Sequence, residues 1–411
     1  MLKGNAIVGQ SGGPTAAINA TLAGVIRGAL ESECIKTVFG MINGIEGFMD
    51  KRLVELNSLF VDEEQLAVLE QTPAAALGSC RKKLPDPDSG RAEDENFYKR
   101  LFSIIEEFDI KYFFYIGGND SMDTVAKMSR YAEKKEVDIR IMGVPKTIDN
   151  DLALTDHTPG FGSAAKYIAT TVGEIIRDCS VYTAKAVTVV EIMGRDAGWL
   201  TASSAIGRVV NGTAPDYVYL PERRFDMDSF FADIEKAFEK HPNVVVAVSE
   251  GLQLADGTYV GEGTQSGSTD VFGHKYLAGT GKALELALRN RFGCKVRSVE
   301  LNLPQRCAGH LLSATDIAES REIGLAAVRA AVSGVSGEVM VFVRGNDEEY
   351  SCEIEHRSVR GIANATRYVP DEFINLENNN VTDECCRYLL PLIKGELKLR
   401  FEMGLPKHFI I

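Results

Sequence analysis

The sequence predicts an α/β protein built on parallel sheets, with room for two domains. Three observations carry this. Apolar, β-branched or aromatic runs alternate with segments of helical periodicity along most of the chain. Several of those runs end in glycine-rich turns. The chain has 411 residues, and single cores stop growing at about 250–300 residues.

Strands are predicted at Ala6–Gly9, Thr37–Gly40, Tyr112–Ile116, Ile139–Val144, Ala186–Ile192, Val244–Ser249 and Glu338–Val343. Helices are predicted at Thr15–Leu30, Ser121–Lys135, Ser163–Asp178, Asp228–Lys240, Gly281–Phe292 and Asp316–Val332. In the first of these helices Ile18, Leu22, Val25, Ile26 and Ala29 share one face. Pro85–Asn96 reads as a loop leading into a helix that begins near Asn96. The Gly/Thr/Ser-rich stretch Asp256–His274 reads as a mobile surface loop.

Hydrophobic residues make up 45% and charged residues 25%, an ordinary globular balance. A formal net charge of −13 argues against nucleic acid or an anionic membrane as the main partner. No apolar run of membrane-spanning length occurs. The chain enters the strand-like run Ala6-Ile7-Val8 with no signal-peptide pattern. Its eight cysteines are scattered, with no Cys-x-x-Cys pair. They read as reduced thiols in a cytoplasmic protein.

The most informative segment is the loop Pro145-Lys146-Thr147-Ile148-Asp149-Asn150-Asp151. It follows a buried strand, where open α/β sheets bind ligands. Asp149 and Asp151 stand two apart beside a hydroxyl, Thr147, and a cation, Lys146. A carboxylate there can take a proton from an attacking hydroxyl, and the lysine can hold phosphate. Asx-turns explain one or two of these polar residues but not the whole set.

Other strand ends repeat the theme. Gly9-Gln10-Ser11-Gly12-Gly13-Pro14-Thr15 is either a plain tight turn or a cradle of N–H groups for an anion. Gly117-Gly118-Asn119-Asp120-Ser121 is a second glycine turn, in which Asp120 or Ser121 is a candidate N-cap. Met193-Gly194-Arg195 places an arginine where it can fork onto phosphate or pair with Asp196. Glu250 can accept hydrogen bonds from sugar hydroxyls or stand as a solvated acid. Gly78-Ser79-Cys80-Arg81-Lys82-Lys83 is a short basic patch, and Gln305-Arg306 adds an arginine in a loop.

Taken together, Gly-Gly-Pro-Thr, Gly-Ser-x-Arg, Gly-Gly-Asn-Asp-Ser, Pro-Lys-Thr-Ile-Asp-Asn-Asp, Met-Gly-Arg, Glu-Gly and Gln-Arg resemble the 6-phosphofructokinases in order and spacing. The resemblance runs from about residue 4 to about residue 345. It implies two Rossmann-like domains with mainly parallel sheets and an active site in the cleft between them. The donor domain would be residues 1–160 plus about 305–365. The sugar-phosphate domain would be about 161–304 plus 366–411.

The resemblance further implies that Asp149 is the base, with Asp151 close by and Thr147 touching the sugar or the moving phosphoryl group. Arg195, Gly12 and Gly13 would hold that group, and Arg81 would bind phosphate on the donor side. Met193, Gly194 and Glu250 would line the sugar pocket, with Arg297 and Arg306 at the sugar 6-phosphate. Asp120 and Lys146 stand where ATP-using members carry glycines, a combination similar to the pyrophosphate-dependent branch. Asp120 would repel a nucleotide's α-phosphate while Lys146 attracts pyrophosphate.

The implied reaction moves a phosphoryl group reversibly from pyrophosphate to fructose 6-phosphate with Mg²⁺. The ATP-dependent reaction is the alternative. Asn119 replaces the family's acidic metal partner, and would act directly or through a water. An arginine expected before Met-Gly-Arg is replaced, with Lys185 as the candidate substitute, and Leu301–Pro304 also departs from the family pattern. These two changes leave room for sedoheptulose 7-phosphate as a second substrate. A homodimer or homotetramer is expected.

Overall fold

The computed structural model describes residues 1–262, 279–345, 349–361 and 365–411. Most of the stretch expected to form a mobile loop, from residue 263 to residue 274, lies outside the described residues. In chain order the main strands are β1 Gly4–Gln10, β2 Ile35–Met41, β3 Leu53–Glu55, β4 Ile110–Gly117, β5 Arg140–Pro145, β6 Ala186–Ile192, β7 Tyr217–Tyr219, β8 Asn243–Ser249, β9 Lys295–Glu300, β10 Glu338–Arg344 and β11 Cys352–Ser358. They form a seven-stranded sheet, β11-β10-β5-β4-β1-β2-β3, and a four-stranded sheet, β7-β8-β6-β9.

Pairing is parallel throughout both sheets except at the edges, where β3 runs antiparallel to β2 and β11 antiparallel to β10. Parallel strands need both faces covered, and the side chains alternate accordingly. In β4, Tyr112, Phe114 and Ile116 enter one core while Phe113 and Tyr115 enter the other. In β6, Val187 and Val189 face one layer, and Val190 and Ile192 the opposite one.

The helix Ile18–Leu30 lies against the helix Ala314–Ser333 at backbone distance. A Cβ on Gly24 would stand 2.0 Å from the Arg321 carbonyl, and one on Gly324 2.2 Å from the Thr21 carbonyl. Alanine at either position forces the helices apart, a cost of about 1–3 kcal/mol.

All seven predicted strands are present, with β5 beginning one residue later than expected. Among the main strands four were not predicted, β3, β7, β9 and β11, and neither were two small two-stranded pairings near the carboxyl end, Ile374–Asn375 with Asn380–Val381 and Phe401–Glu402 with Leu405–Pro406. The first helix begins at Ile18 rather than Thr15, because residues 11–17 are used by the turn after β1. The helix expected near Asn96 begins at Ala92. Its first turn carries Glu93, Asp94 and Glu95, which suit the positive end of a helix dipole. Beyond the sheets, the helix Asp383–Leu389 buries Cys385, Cys386 and Leu389 in the core under the second sheet.

Candidate active site

The predicted loops gather at the carboxyl ends of β1, β4, β5, β6 and β8, where the dipoles and free N–H groups of a parallel sheet favour ligands. After β1, Gly12 has φ +79°, a left-handed backbone suited to glycine. Its N–H donates to the Cys80 carbonyl at 3.0 Å, and Ser79 Oγ donates to the Gly12 carbonyl at 2.6 Å. The Gly-Ser-x-Arg segment is thereby tied to the glycine turn, and Arg81 is brought to it.

Lys146 enters the same place from β5. It is buried, and its Nζ donates to the Gly13 carbonyl at 2.5 Å. Burial and the neighbouring Arg81 and Arg306 lower its pKa to about 8, against the pull of Asp149 and Asp151. Arg306 is likewise lowered, first by burial and then by Arg81. A Cβ on Gly13 would lie 3.7 Å from Arg306 Nη1. Three cations thus converge on one glycine turn of an acidic protein, a concentration of positive charge suited to phosphate.

The acid pair is shaped by Asn150, whose φ of +56° turns the backbone sharply between Asp149 and Asp151. The Asp149 N–H donates to Thr147 Oγ1 at 3.1 Å, and the Thr147 carbonyl accepts from Thr158 Oγ1 at 2.7 Å. Desolvation raises both carboxyls. Lys146, Arg195 and Arg306 pull Asp149 back down, whereas Asp149 pushes Asp151 further up, to about 7. Asp149 is the member of the pair that faces the cations Lys146, Arg195 and Arg306, although burial still leaves its carboxyl raised above the usual range.

Behind the pair, Asn119 Nδ2 donates to Asp151 Oδ2 at 3.4 Å, while the buried Asn119 Oδ1 has no hydrogen-bond partner among the described residues. An orphaned buried oxygen beside two carboxyls is a donor set of the kind Mg²⁺ takes. These residues fit the ion.

Asp120 stands in the first turn of the helix Asn119–Lys134 and pairs with Lys83 at 3.2 Å. Lys83 remains exposed, so this is a solvated pair at the mouth of the basic patch. The expected N-cap role of Asp120 or Ser121 is not realised: Gly118 is the cap, and Ser121 is buried within the helix. Ser121 packs so closely on Gly117 that a Cβ there would lie 2.0 Å from its Oγ.

At the ends of β6 and β8 the charge is of the opposite sign. The Gly194 N–H donates to Glu250 Oε1 at 3.2 Å, and the Met193 N–H donates to Gln305 Oε1 at 3.2 Å. A small cavity of about 30 Å³ here is lined by Glu191, Met193, Glu250, Glu300, Asn302 and Gln305. Burial, with Asp149 adding to it, raises Glu250 to about 8; burial raises Glu191 to about 7. Arg195 is near enough to oppose the rise at both Asp149 and Glu250. Carboxyls and an amide around a small polar hollow match the hydroxyls of a sugar. Glu191 was not singled out from the sequence; it reads there as part of an apolar strand.

Two expected neighbours are not brought together. Arg306 stands beside Gly13, Arg81 and Lys146, whereas Arg297 is exposed on β9 and paired in register with Thr188. Arg297 shares a cavity of about 120 Å³ with Lys185, Tyr182, Asn243 and Lys295, at the amino end of β6 and β8. That is the opposite end of the strand from Met193.

The family model described as phosphofructokinase matches residues 5–331. The chain belongs to the phosphofructokinase family. A relative from Halomonas elongata, named pyrophosphate–fructose 6-phosphate 1-phosphotransferase, is 39% identical over 99% of this chain and 96% of its own. One of the same name from Xanthomonas campestris is also 39% identical, with the same coverage of 99% and 96%. The crystal structure of a pyrophosphate-dependent phosphofructokinase from Nitrosospira multiformis superposes with a TM-score of 0.88 at 33% identity, covering 99% of this chain and 96% of that one. The mixed α/β architecture with mainly parallel sheets described above is consistent with two Rossmann-like domains.

Proposed function

We propose that this chain is a phosphotransferase that moves a phosphoryl group from pyrophosphate to the 1-hydroxyl of fructose 6-phosphate, giving fructose 1,6-bisphosphate and phosphate. The observation that carries the choice of donor is Lys146, buried and clamped to the Gly13 carbonyl at 2.5 Å. It fills the floor of the donor pocket with positive charge. The Asp120–Lys83 pair closes the side along which a nucleotide would extend. The names of the long, high-coverage relatives agree with this reading.

In the mechanism, the sugar 1-hydroxyl attacks the near phosphorus of pyrophosphate in line with the departing phosphate. The O–P bond to the sugar forms as the bridging P–O bond breaks, and the hydroxyl proton passes to Asp149. Arg195, Arg306, Lys146 and the N–H groups of the Gly12–Gly13 turn spread the charge of the moving group. Met193, Glu250 and Gln305 orient the sugar. Asn119 Oδ1 and Asp151 would hold Mg²⁺, which supplies charge neutralisation to the phosphates when bound. A phosphoanhydride without a nucleotide leaves the two directions nearly balanced, so the reaction runs both ways.

The first sheet with its helices is the donor domain in this reading, residues 1–160 plus about 305–365. The second sheet, about 161–304 plus 366–411, is the sugar-phosphate domain. Arg297, near the start of β9, and Lys185, just before β6, lie at the wrong end of the second sheet to serve their own cleft. They serve the sugar 6-phosphate of a second copy, in a homodimer or homotetramer. The eight cysteines are free, which suits a reducing cytoplasm. Among the described residues no helix is long and apolar enough to cross a membrane.

The deciding experiment assays purified protein with fructose 6-phosphate and either pyrophosphate or ATP, with Mg²⁺ present. Turnover with pyrophosphate and little with ATP is expected. Turnover with ATP alone overturns the donor assignment.

A further inference from the structure

The acid-pair loop and the Met-Gly-Arg loop sit on different sheets, yet the mechanism needs Asp149 and Arg195 at a fixed separation. A short segment beyond the family-matched residues 5–331 touches both loops. Thr366 forms an antiparallel bridge with Leu152, and the Arg367 N–H donates to the Asp151 carbonyl at 2.9 Å. On the other side, the indole Nε1 of Trp199 donates to the Arg367 carbonyl at 3.0 Å. Trp199 is the only tryptophan in the chain and follows the Met-Gly-Arg loop by a few residues. Glu222 Oε1 accepts from both the Gly198 N–H at 2.8 Å and the Val369 N–H at 2.9 Å.

The Arg367 side chain locks this lacing. Its guanidinium lies 4.2 Å from the centre of the Trp199 ring, a cation–π stack. Its Nη2 donates to the Tyr388 hydroxyl at 2.8 Å, and that hydroxyl donates to Asp156 Oδ1 at 2.6 Å. Asp156 is five residues past Asp151, on the same descending loop, and is held in turn by Arg344 at 3.1 Å. The path from Trp199 through Arg367 and Tyr388 to Asp156 therefore holds the chain just after the acid pair at two points, Asp151 and Asp156.

We infer that Thr366–Val369 is a strap that sets the spacing of Asp149 and Arg195, with Arg367 as a positioning residue and Tyr388 as its anchor. The inference rests on the phosphoryl-transfer reading. Arg367 touches no reacting atom; it acts through the backbone of Asp151 and the ring of Trp199. A misplacement of about 1 Å in such a pair costs on the order of 100-fold in rate.

The test compares wild type with Arg367→Met, Arg367→Lys and Tyr388→Phe, by steady-state kinetics, thermal unfolding and Trp199 fluorescence. Arg367→Met is expected to lower kcat about 10- to 100-fold, with KM for both substrates within about 3-fold and a folded protein. Its Trp199 emission should shift as the stacked cation is lost. Arg367→Lys, which keeps the charge over the ring, should recover part of kcat. Tyr388→Phe should lower kcat less. An unchanged kcat in Arg367→Met, or a loss that merely follows the fraction unfolded with lysine no better than methionine, overturns the strap. A wild type inactive with both pyrophosphate and ATP overturns the phosphoryl-transfer reading instead, whereas one active with ATP alone still tests the strap by the same kcat comparison.

Discussion

The two ends of the cleft are built from opposite charges. At what we propose is the donor end Lys146, Arg81 and Arg306 crowd one glycine turn; Arg81 and Arg306 lower Lys146, and Arg81 lowers Arg306. At the sugar end Glu191 and Glu250 line a small hollow with Glu300, and burial raises the first two to about 7 and 8. The difference follows from the ligands. A donor that is nearly all charge needs concentrated cations, whereas a sugar needs acceptors that tolerate partial protonation. The acid pair stands between, with burial raising both carboxyls and the neighbouring cations opposing that rise.

Removing the base should have the largest effect. Asp149→Asn is expected to lower kcat by about 10³-fold or more while both KM values hold within a few-fold. Near-normal turnover in that variant would move the base elsewhere. Next comes the donor cation. Lys146→Met should raise KM for pyrophosphate about 10- to 100-fold, the loss of a charge-assisted hydrogen bond, and leave KM for the sugar phosphate alone. Glu250→Gln is the mirror test, with KM for fructose 6-phosphate rising about 10-fold and the pyrophosphate value steady. If either substitution shifted both constants equally, the division of the cleft by charge would be wrong.

The smallest effect is a pH dependence. Lys146 loses its proton as pH rises through about 8, so wild type and Lys146→Met should converge above that pH. The ratio of their pyrophosphate KM values, in which the donor's own titration cancels, should shrink from pH 7 to pH 9. A constant ratio would mean that Lys146 keeps its charge throughout.

Much of this was legible in the sequence because the strands of a parallel sheet carry continuous apolar runs, and their ends carry the chemistry. Ala186–Ile192 is found with both ends correct. The unseen strands are edges or short pieces. In β9, Lys-Val-Arg-Ser-Val-Glu alternates charge with valine, and β11 is largely polar; neither shows a run. The position of Arg306 was not legible either. A motif gives an arginine's place in the chain but not the direction in which its loop folds, and here the short helix Pro304–Cys307 turns it toward Gly13. Lys83 and Arg367 were missed because their partners are distant in sequence and carry no motif.

The order of strands in the first sheet has a consequence for how the chain is made. β10 and β11 close that sheet beside β5, but the whole of the second sheet precedes them in the chain. A ribosome that has released residue 300 has delivered all four strands of the second sheet and only five of the seven in the first. Until β10 emerges, β5 shows a bare edge of N–H and C=O groups, a template for pairing with another chain. The helix Ile18–Leu30 meanwhile waits, its Gly24 notch empty, for a helix nearly three hundred residues away. The sheet begun first is finished last, and nascent chains stalled between these points are the ones most exposed to aggregation and most in need of a chaperone.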